Sequence, residues 1–268
     1  MKKISVLIIG KKSLLAKNYF KHSKIKKITI VDRSSLKNLN LENFSHILNF
    51  SFDPNLKKRP INFKRQLDYK ISKKIRYKNI IYILPSTRLV YSNRKKKIFK
   101  ERQKLSKINN IYGNNKRKIE MKLNKTLEKN LLVLRISTVL LFDTSSRNLF
   151  ISRILRSLKK SKRIVFDIDI NKTKDFIPVN KFSEALDKLI LRKKTGIFNL
   201  SSGIPIKIIS LLKSILNGFG SGNISYTAIK KNNSYCLDNK KLSKNIKFSI
   251  SKKYILNYCK NLGKKLNA

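Results

Sequence analysis

The chain has 268 residues, of which 64 are lysine or arginine and 14 are aspartate or glutamate, so its formal net charge is +50. Hydrophobic residues make up 41% of the sequence, enough for a packed core, which excludes wholesale disorder. With 2 cysteines and 2 histidines, a disulfide scaffold or a Cys/His zinc site is not expected. No apolar run reaches the roughly 18 residues of a membrane helix, so we expect no membrane span and a cytoplasmic location.

Short apolar runs alternate with helical patterns in the first half of the chain. The sequence predicts a helix after the first run, another over 109–129, and strands over 4–10, 28–31, 46–50, 79–84 and 131–135. Continuous apolar runs are typical of strands buried on both faces of a parallel sheet. Because crossovers between parallel strands are right-handed, the predicted fold class is α/β with a doubly wound parallel sheet.

The second half has a less regular pattern. Helical patterns occupy 148–158, 180–191 and 206–217, and short strands are predicted near 164–166, 197–200 and 224–226. This arrangement predicts a smaller lobe that completes a cleft.

The basic residues are spread along the whole chain and do not form one tail. A general basic surface fits this distribution, and so does a specific contact with nucleic acid or another polyanion.

The first predicted strand ends in a turn that reads GKKSLLA over residues 10–16. A strand, a tight turn and a helix N-terminus form a pyrophosphate site, because free backbone N–H groups point at the anion. Only the first of three usual glycine positions keeps its glycine. The residues expected to contact the phosphates are Gly10, Ser13, Leu14 and Leu15.

Asp32 closes the second predicted strand, at the position where a carboxylate can bind the ribose hydroxyls of a dinucleotide. Arg33 follows directly and could instead accept a 2′-phosphate. The choice between NAD and NADP is therefore open at this point.

Tyr112 and Lys116 stand at i and i+4 of a predicted helix and so share one face. A lysine ammonium in this position favours the phenolate of the tyrosine electrostatically and can still reach a ribose. The pair is thus a candidate proton-transfer site for hydride chemistry.

The chain resembles the extended short-chain dehydrogenase/reductase superfamily, in particular the NAD-dependent epimerase/dehydratase family that acts on nucleotide sugars. The likeness runs through almost the full chain in the expected order. The segments that carry it are SHILNF, PSTRLVY, FKERQKLSKINNIYGNNKRKIE, LLVLRISTVL, RNLFISRIL, TKDFIPVNKFSEAL, GIFNLSSG and CLDNKKLSKNIKFSIS.

The resemblance implies a Rossmann-like sheet with a small C-terminal substrate lobe, divided as a dinucleotide-binding domain at 1–143 and a mainly substrate-binding lobe at 144–268. It implies NAD or NADP as cofactor, a nucleotide-sugar substrate, surface-polysaccharide synthesis, and a homodimer formed through the Tyr112 helix and its neighbour. Tyr112 would be the acid/base, Thr87 would bond the reacting oxygen, and Lys116 would orient the nicotinamide ribose. The further residues implied are Asn49 for the cofactor and Ser86, Asn148 and Lys174 for the substrate.

Several positions depart from the family pattern. Two glycines of the phosphate turn are absent, and Phe50, Ser51 and Phe52 stand where relatives have small residues. Thr87 is followed by Arg88 and not by the acidic pair of sugar 4,6-dehydratases, which favours an epimerase or a reductase. The alternative is a catalytically degenerate relative that binds nucleic acid or another polyanion, or that serves a structural role.

Overall fold

A computed structural model describes residues 3–91, 98–105, 110–145, 149–230 and 233–268. Its strands are β1 Val6–Ile9, β2 Ile28–Val31, β3 His46–Asn49, β4 Ile81–Thr87, β5 Ile98–Phe99, β6 Leu131–Ile136, β7 Thr138–Leu140, β8 Arg163–Ile168, β9 Thr173–Pro178, β10 Gly196–Leu200, β11 Pro205–Lys207, β12 Asn223–Lys230 and β13 Cys236–Leu237. Its helices are α1 Leu14–His22, α2 Asn55–Lys58, α3 Leu67–Ile75, α4 Ile111–Leu127, α5 Phe150–Ser161, α6 Val179–Leu191, α7 Ile208–Phe219, α8 Lys240–Ile246 and α9 Lys252–Asn267. None of these helices is long and apolar enough to cross a membrane.

Six parallel strands form the main sheet in the order β10-β6-β4-β3-β1-β2. The predicted apolar runs supply five of these strands, and β10 comes from the second half of the chain. The predicted doubly wound parallel sheet is therefore confirmed.

The chain order reverses between β1 and β3, because β2 lies on one side of β1 and β3 on the other. Ile9 is in register with Val31 on β2 and with Asn49 on β3. The carboxyl ends of these three strands therefore meet at one edge. Open α/β sheets bind ligands in the crevice at such a reversal.

Both faces of the main sheet are covered by helices. On one face Leu48 and Phe198 pack in a buried cluster with Phe182 of α6. On the other, Leu7 and Tyr82 pack with Leu123 of α4. Burial on both faces explains why these strands are apolar without alternation.

A second core lies under the three-stranded sheet β11-β9-β7 and the pair β12-β8. Helices α7 and α9 touch closely there, since a Cβ on Gly218 would collide with the carbonyl oxygen of Lys260 and one on Gly263 with that of Ile215.

Candidate functional site

A cavity of about 390 Å³ opens at the strand-order reversal. Its walls come from the start of α1, the carboxyl ends of β3 and β4, the segment that follows β6, and the N-terminal turns of α4 and α5. Its polar side chains belong to Ser13, Asn49, Ser51, Ser86, Thr87, Tyr112, Lys116, Ser137 and Thr138. Leu14 and Leu15, the other two phosphate-turn predictions, also line it.

The turn between β1 and α1 depends on its one glycine. Gly10 has a φ of 111°, and a Cβ there would lie 2.7 Å from the backbone nitrogen of Ser51. Ser13 caps α1, since its hydroxyl oxygen accepts from the Ala16 N–H at 3.4 Å. The turn is thus tight at Gly10, where any other residue would be strained.

Asp32 and Arg33 follow β2 directly, and register places Asp32 beside Gly10 at the same sheet edge. Asp32 is half-buried and Arg33 is exposed. Neither side chain makes a hydrogen bond or ion pair with another residue that the structure describes. The Asp32 carboxylate is therefore available to a ligand that runs along this edge.

A buried carboxylate fixes the amide of Asn49. Asn49 Nδ2 donates to Asp68 Oδ1 at 2.6 Å, and the Tyr82 hydroxyl donates to the same oxygen at 2.6 Å. Burial, and next the Asp68 charge, raise the pKa of Tyr82 well above its ordinary value, which keeps its hydroxyl a donor. With its Nδ2 so held, Asn49 accepts the Ser51 N–H at 3.0 Å and orders the loop after β3.

The two phenylalanines of that loop have different surroundings. Phe50 is buried against Tyr19, with ring centroids 6.1 Å apart. Phe52 is 48% exposed and packs edge-on against Tyr112, also at 6.1 Å. Phe52 therefore contacts the predicted acid/base residue directly.

Helix α4 carries Tyr112 and Lys116 one turn apart, and both side chains line the cavity. A Cβ on Gly113 would collide with the carbonyl oxygen of Leu89, so the helix presses against the turn after β4. Lys116 Nζ donates to the carbonyl oxygen of Pro85 at 2.8 Å. These contacts bring Tyr112 and Lys116 to the same wall as Thr87, as the sequence predicts for all three.

The two hydroxyls at the end of β4 are used differently. Thr87 Oγ1 accepts the Leu89 N–H at 3.2 Å, which leaves its hydroxyl hydrogen for another acceptor. Ser86 donates its hydroxyl to Glu120 and is only 6% exposed. Of the two, Thr87 is the one that can still donate to a ligand.

Behind this wall lies a buried ion pair that sequence reasoning missed. Arg135 on β6 and Glu120 on α4 are 2.7 Å apart, with side chains 3% and 5% exposed. Although burial lowers the pKa of Arg135, the bond and charge of Glu120 raise it more, so the guanidinium stays charged. Arg135 also donates to the hydroxyl oxygen of Tyr91 at 3.1 Å. The Tyr91 hydroxyl in turn donates to Asn199 Oδ1 at 2.7 Å. The sequence feature that could have indicated this pair is Arg135, a charged residue in the otherwise apolar predicted strand LLVLR.

Ser137 and Thr138, which follow β6, were also missed. Ser137 Oγ is buried and has no hydrogen-bond partner among the described residues. Thr138 Oγ1 lies 2.5 Å from the Tyr235 hydroxyl. In the described part of the chain, no cluster of His, Cys, Asp or Glu side chains could hold a metal ion.

The two predicted substrate contacts of the second half cannot be treated alike. Lys174 lies on β9, with its ammonium 5.5 Å from the ring centre of Phe150 at the start of α5. Phe150 lines the cavity, whereas Lys174 itself is not among the residues that line it. Asn148 lies outside the described residues.

Solved structures share this fold over nearly the whole chain. A UDP-N-acetylglucosamine 4-epimerase from Methanobrevibacter ruminantium M1, in complex with UDP-N-acetylmuramic acid, matches with a TM-score of 0.81 at 18% identity, covering 99% of this chain and 98% of that one. A dTDP-glucose 4,6-dehydratase from Bacillus anthracis str. Ames in complex with NAD matches with a TM-score of 0.75 at 15% identity, covering 98% and 97%. A dTDP-4-dehydrorhamnose reductase from Clostridium acetobutylicum ATCC 824 matches with a TM-score of 0.75 at 14% identity, covering 94% and 96%.

These likenesses define the class of fold to which the chain belongs. No family model and no curated protein sequence matches the chain. The chain has the fold of these solved epimerase, dehydratase and reductase structures. The resemblance predicted from the sequence is confirmed at the level of the fold.

Proposed function

We propose that this chain is an NAD(P)-dependent enzyme that acts on a nucleotide-linked sugar by hydride transfer, with Tyr112 as acid/base. The observation that carries the proposal is the cavity at the strand-order reversal. It places Thr87, Tyr112 and Lys116 beside the turn that follows β1. The similar structures with NAD or a UDP-sugar bound support the same assignment.

The residues at this edge fit a dinucleotide. Gly10 keeps the positive φ that the tight turn needs, and the half-buried Asp32 carboxylate has no described partner. Ser137, which lines the same cavity as Thr87 and Tyr112, adds a buried hydroxyl that has no partner among the described residues. Gly10, Ser13, Leu14 and Leu15 would hold the pyrophosphate, Asp32 the adenosine ribose, and Asn49 and Lys116 the nicotinamide end. Bound there, a nicotinamide supplies a reversible hydride acceptor.

The chain's own side chains would supply the proton chemistry. Tyr112 exchanges its phenolic proton with the hydroxyl or carbonyl oxygen of the reacting sugar carbon. Lys116 uses one of its three N–H donors on the carbonyl oxygen of Pro85, so two remain for ribose hydroxyls. Its positive charge acts on Tyr112 in addition. Thr87 donates its free hydroxyl hydrogen to the reacting oxygen and fixes its position.

The residue after Thr87 favours epimerase or reductase chemistry over dehydration. Elimination of water needs an acid and a base beyond the tyrosine. Arg88 stands at this position, and its guanidinium carbon lies 3.8 Å from the ring centre of Tyr235. This position therefore carries an arginine, held against the second half of the chain, in place of a carboxylate that could act as acid or base.

Product analysis tests the proposal. The protein is incubated with NAD and, in turn, with UDP-N-acetylglucosamine, UDP-glucose and dTDP-glucose. Reductase activity is assayed with NADH and with NADPH on the corresponding keto sugars. We expect turnover of one of them, and a loss of about 10²- to 10⁴-fold in Tyr112→Phe. NADH affinity should change less than about twofold, because the phenol acts mainly on the transition state.

The control is Tyr77→Phe, which removes a phenolic oxygen from a side chain that is 86% exposed. It should leave turnover unchanged. Full activity of Tyr112→Phe would contradict the assigned role.

A further inference from the structure

Helices α3 and α4 present a surface that the proposed reaction does not use. Every exposed residue of α3 is a lysine, and α4 adds three more exposed lysines beside them. We call this surface the basic face, and its members are Lys70, Lys73, Lys74, Lys118, Lys122 and Lys125.

Two lysines of the basic face converge on one aromatic ring. Lys73 Nζ of α3 and Lys122 Nζ of α4 each lie 5.2 Å from the ring centre of Tyr69. Both ammonium groups are therefore held at the junction of the two helices, where each can meet an anionic group of a partner.

No carboxylate of the described residues neutralises this pair. Asp68 of α3 and Glu120 of α4 are both buried, and both are bonded to groups inside the protein. Glu128 is exposed but lies beyond the C-terminal end of α4, and Glu42 pairs with Lys78 at 2.7 Å. The face therefore presents positive charge to solvent that no described carboxylate compensates.

A second copy of the chain is a poor occupant. The family resemblance implies a homodimer through α4 and its neighbour. Such a contact would bring two basic faces together and bury like charges against each other, which strongly disfavours association. An anionic partner is the complementary one.

An exposed tyrosine stands at one end of the basic face. Tyr77 follows α3 directly, is 86% exposed, and has the Arg76 guanidinium carbon 5.1 Å from its ring centre. Asn130, just past α4, donates to the carbonyl oxygen of Lys78 at 3.2 Å, so the ends of both helices meet here. A cationic track with an open aromatic ring is what single-stranded nucleic acid needs, because phosphates bind the lysines and bases stack on the ring.

We propose that the basic face binds single-stranded nucleic acid, with phosphates at Lys73 and Lys122 and a base on Tyr77. This site lies on helices α3 and α4, apart from the cavity, and does not depend on the proposed enzymatic function.

Fluorescence anisotropy with a labelled oligodeoxythymidine of about 16 nucleotides tests the proposal. The test variant is Lys73→Gln/Lys122→Gln, and the matched control is Lys253→Gln/Lys260→Gln on exposed positions of α9. Both variants lose the same charge. We expect about tenfold weaker binding and a salt slope shallower by about 1.4 in the test variant, and little change in the control.

A second comparison separates nucleic acid from other polyanions. Tyr77→Ala should weaken oligodeoxythymidine binding about fivefold or more and leave binding of inorganic polyphosphate, which has no bases, unchanged.

Several results would overturn the proposal. Equal losses in the test and control variants would show that only diffuse charge is at work, and an unaffected Tyr77→Ala would remove base stacking. Binding to phosphatidylserine vesicles without binding to the oligonucleotide would assign the face to a membrane surface. A dimer in sedimentation that Lys73→Gln/Lys122→Gln alters would assign it to a second copy. Because no nicotinamide is used, a failure here leaves the proposed enzyme untouched.

Discussion

Polar side chains have different surroundings at the two ends of the main sheet. At the carboxyl end, Asn49, Ser86, Thr87 and Arg135 line a cavity or are bonded to buried charges. At the amino end, Ser45 donates to the carbonyl oxygen of Ser5 at 2.8 Å and makes only local bonds. The comparison teaches that a buried polar side chain marks a site only where it belongs to a connected set that opens on a cavity.

His46 shows the other side of this comparison. It begins β3 at the amino end and is 1% exposed. Its Nδ1 lies 2.9 Å from Ser45 Oγ, and its Nε2 has no partner among the described residues. Burial, and next the charge of Lys193, lower its pKa to about 4. It is a neutral core side chain, as its place in an apolar strand predicts.

The largest effect is expected at the buried ion pair behind the cavity wall that carries Thr87 and Tyr112. Glu120→Gln leaves the Arg135 guanidinium buried without its counter-charge, which should cost about 3–5 kcal/mol in the free energy of unfolding. Urea denaturation at neutral pH measures it. The matched control is Glu184→Gln, which breaks the partly exposed bonds to Lys181 and Lys188 and should cost under about 1 kcal/mol. Equal losses would mean that the carboxyl end is no more tightly held than the surface.

At the amino end of the sheet, we expect His46 to make the free energy of unfolding depend on pH without affecting activity. Because the pKa of His46 is lowered in the folded state, its neutral form supports stability above about pH 6.5, and that support is lost as the pH falls towards about 4. The loss amounts to at most about 3 kcal/mol. His46→Leu should flatten this part of the stability curve and leave activity at neutral pH unchanged. If stability falls with decreasing pH equally steeply in the variant and in the unmodified protein, His46 does not cause the pH dependence.

A smaller effect is expected at the phosphate turn. Gly10→Ala forces a side chain into a φ of 111° and against Ser51, which should cost about 1–3 kcal/mol and weaken dinucleotide binding. The control is Gly220→Ala, where φ is 89° but nothing lies within 4 Å of the added Cβ. It shares the strain but not the collision and should leave dinucleotide affinity intact. Unchanged NADH affinity in Gly10→Ala would move the cofactor away from this turn.

The smallest effect concerns the choice of cofactor. Asp32 is half-buried beside Gly10 whereas Arg33 is exposed, so we expect NADH to bind better than NADPH. Asp32→Asn should weaken NADH binding about tenfold, or about 1.4 kcal/mol, because one charged acceptor for the ribose is lost. Arg33→Ala should leave NADH binding alone. The reverse pattern would make this an NADP site.

The main sheet was predictable because its strands are buried on both faces. The run at 28–31 matches β2, and the helix expected over 109–129 is α4 at Ile111–Leu127. Helix α9 was not predicted, since its many lysines hide a buried row at Ile255, Cys259 and Leu262. Short strands such as β11 also carry no apolar run of their own and depend on partners distant in the chain.

The candidate site was predictable where its residues are close in sequence. Tyr112 and Lys116 share a helix turn, and Thr87 ends a strand. The pair Glu120 and Arg135 could not be predicted in the same way, because only the crossover from α4 to β6 brings the two charges together.

The central claim is that the cavity at the carboxyl end binds a nicotinamide dinucleotide, and a fluorescence titration of the protein with NADH and NADPH tests it most directly. The account predicts saturable binding at moderate salt, with NADH preferred, and weaker binding in Gly10→Ala. No binding of either dinucleotide by protein that circular dichroism shows to be folded would contradict it.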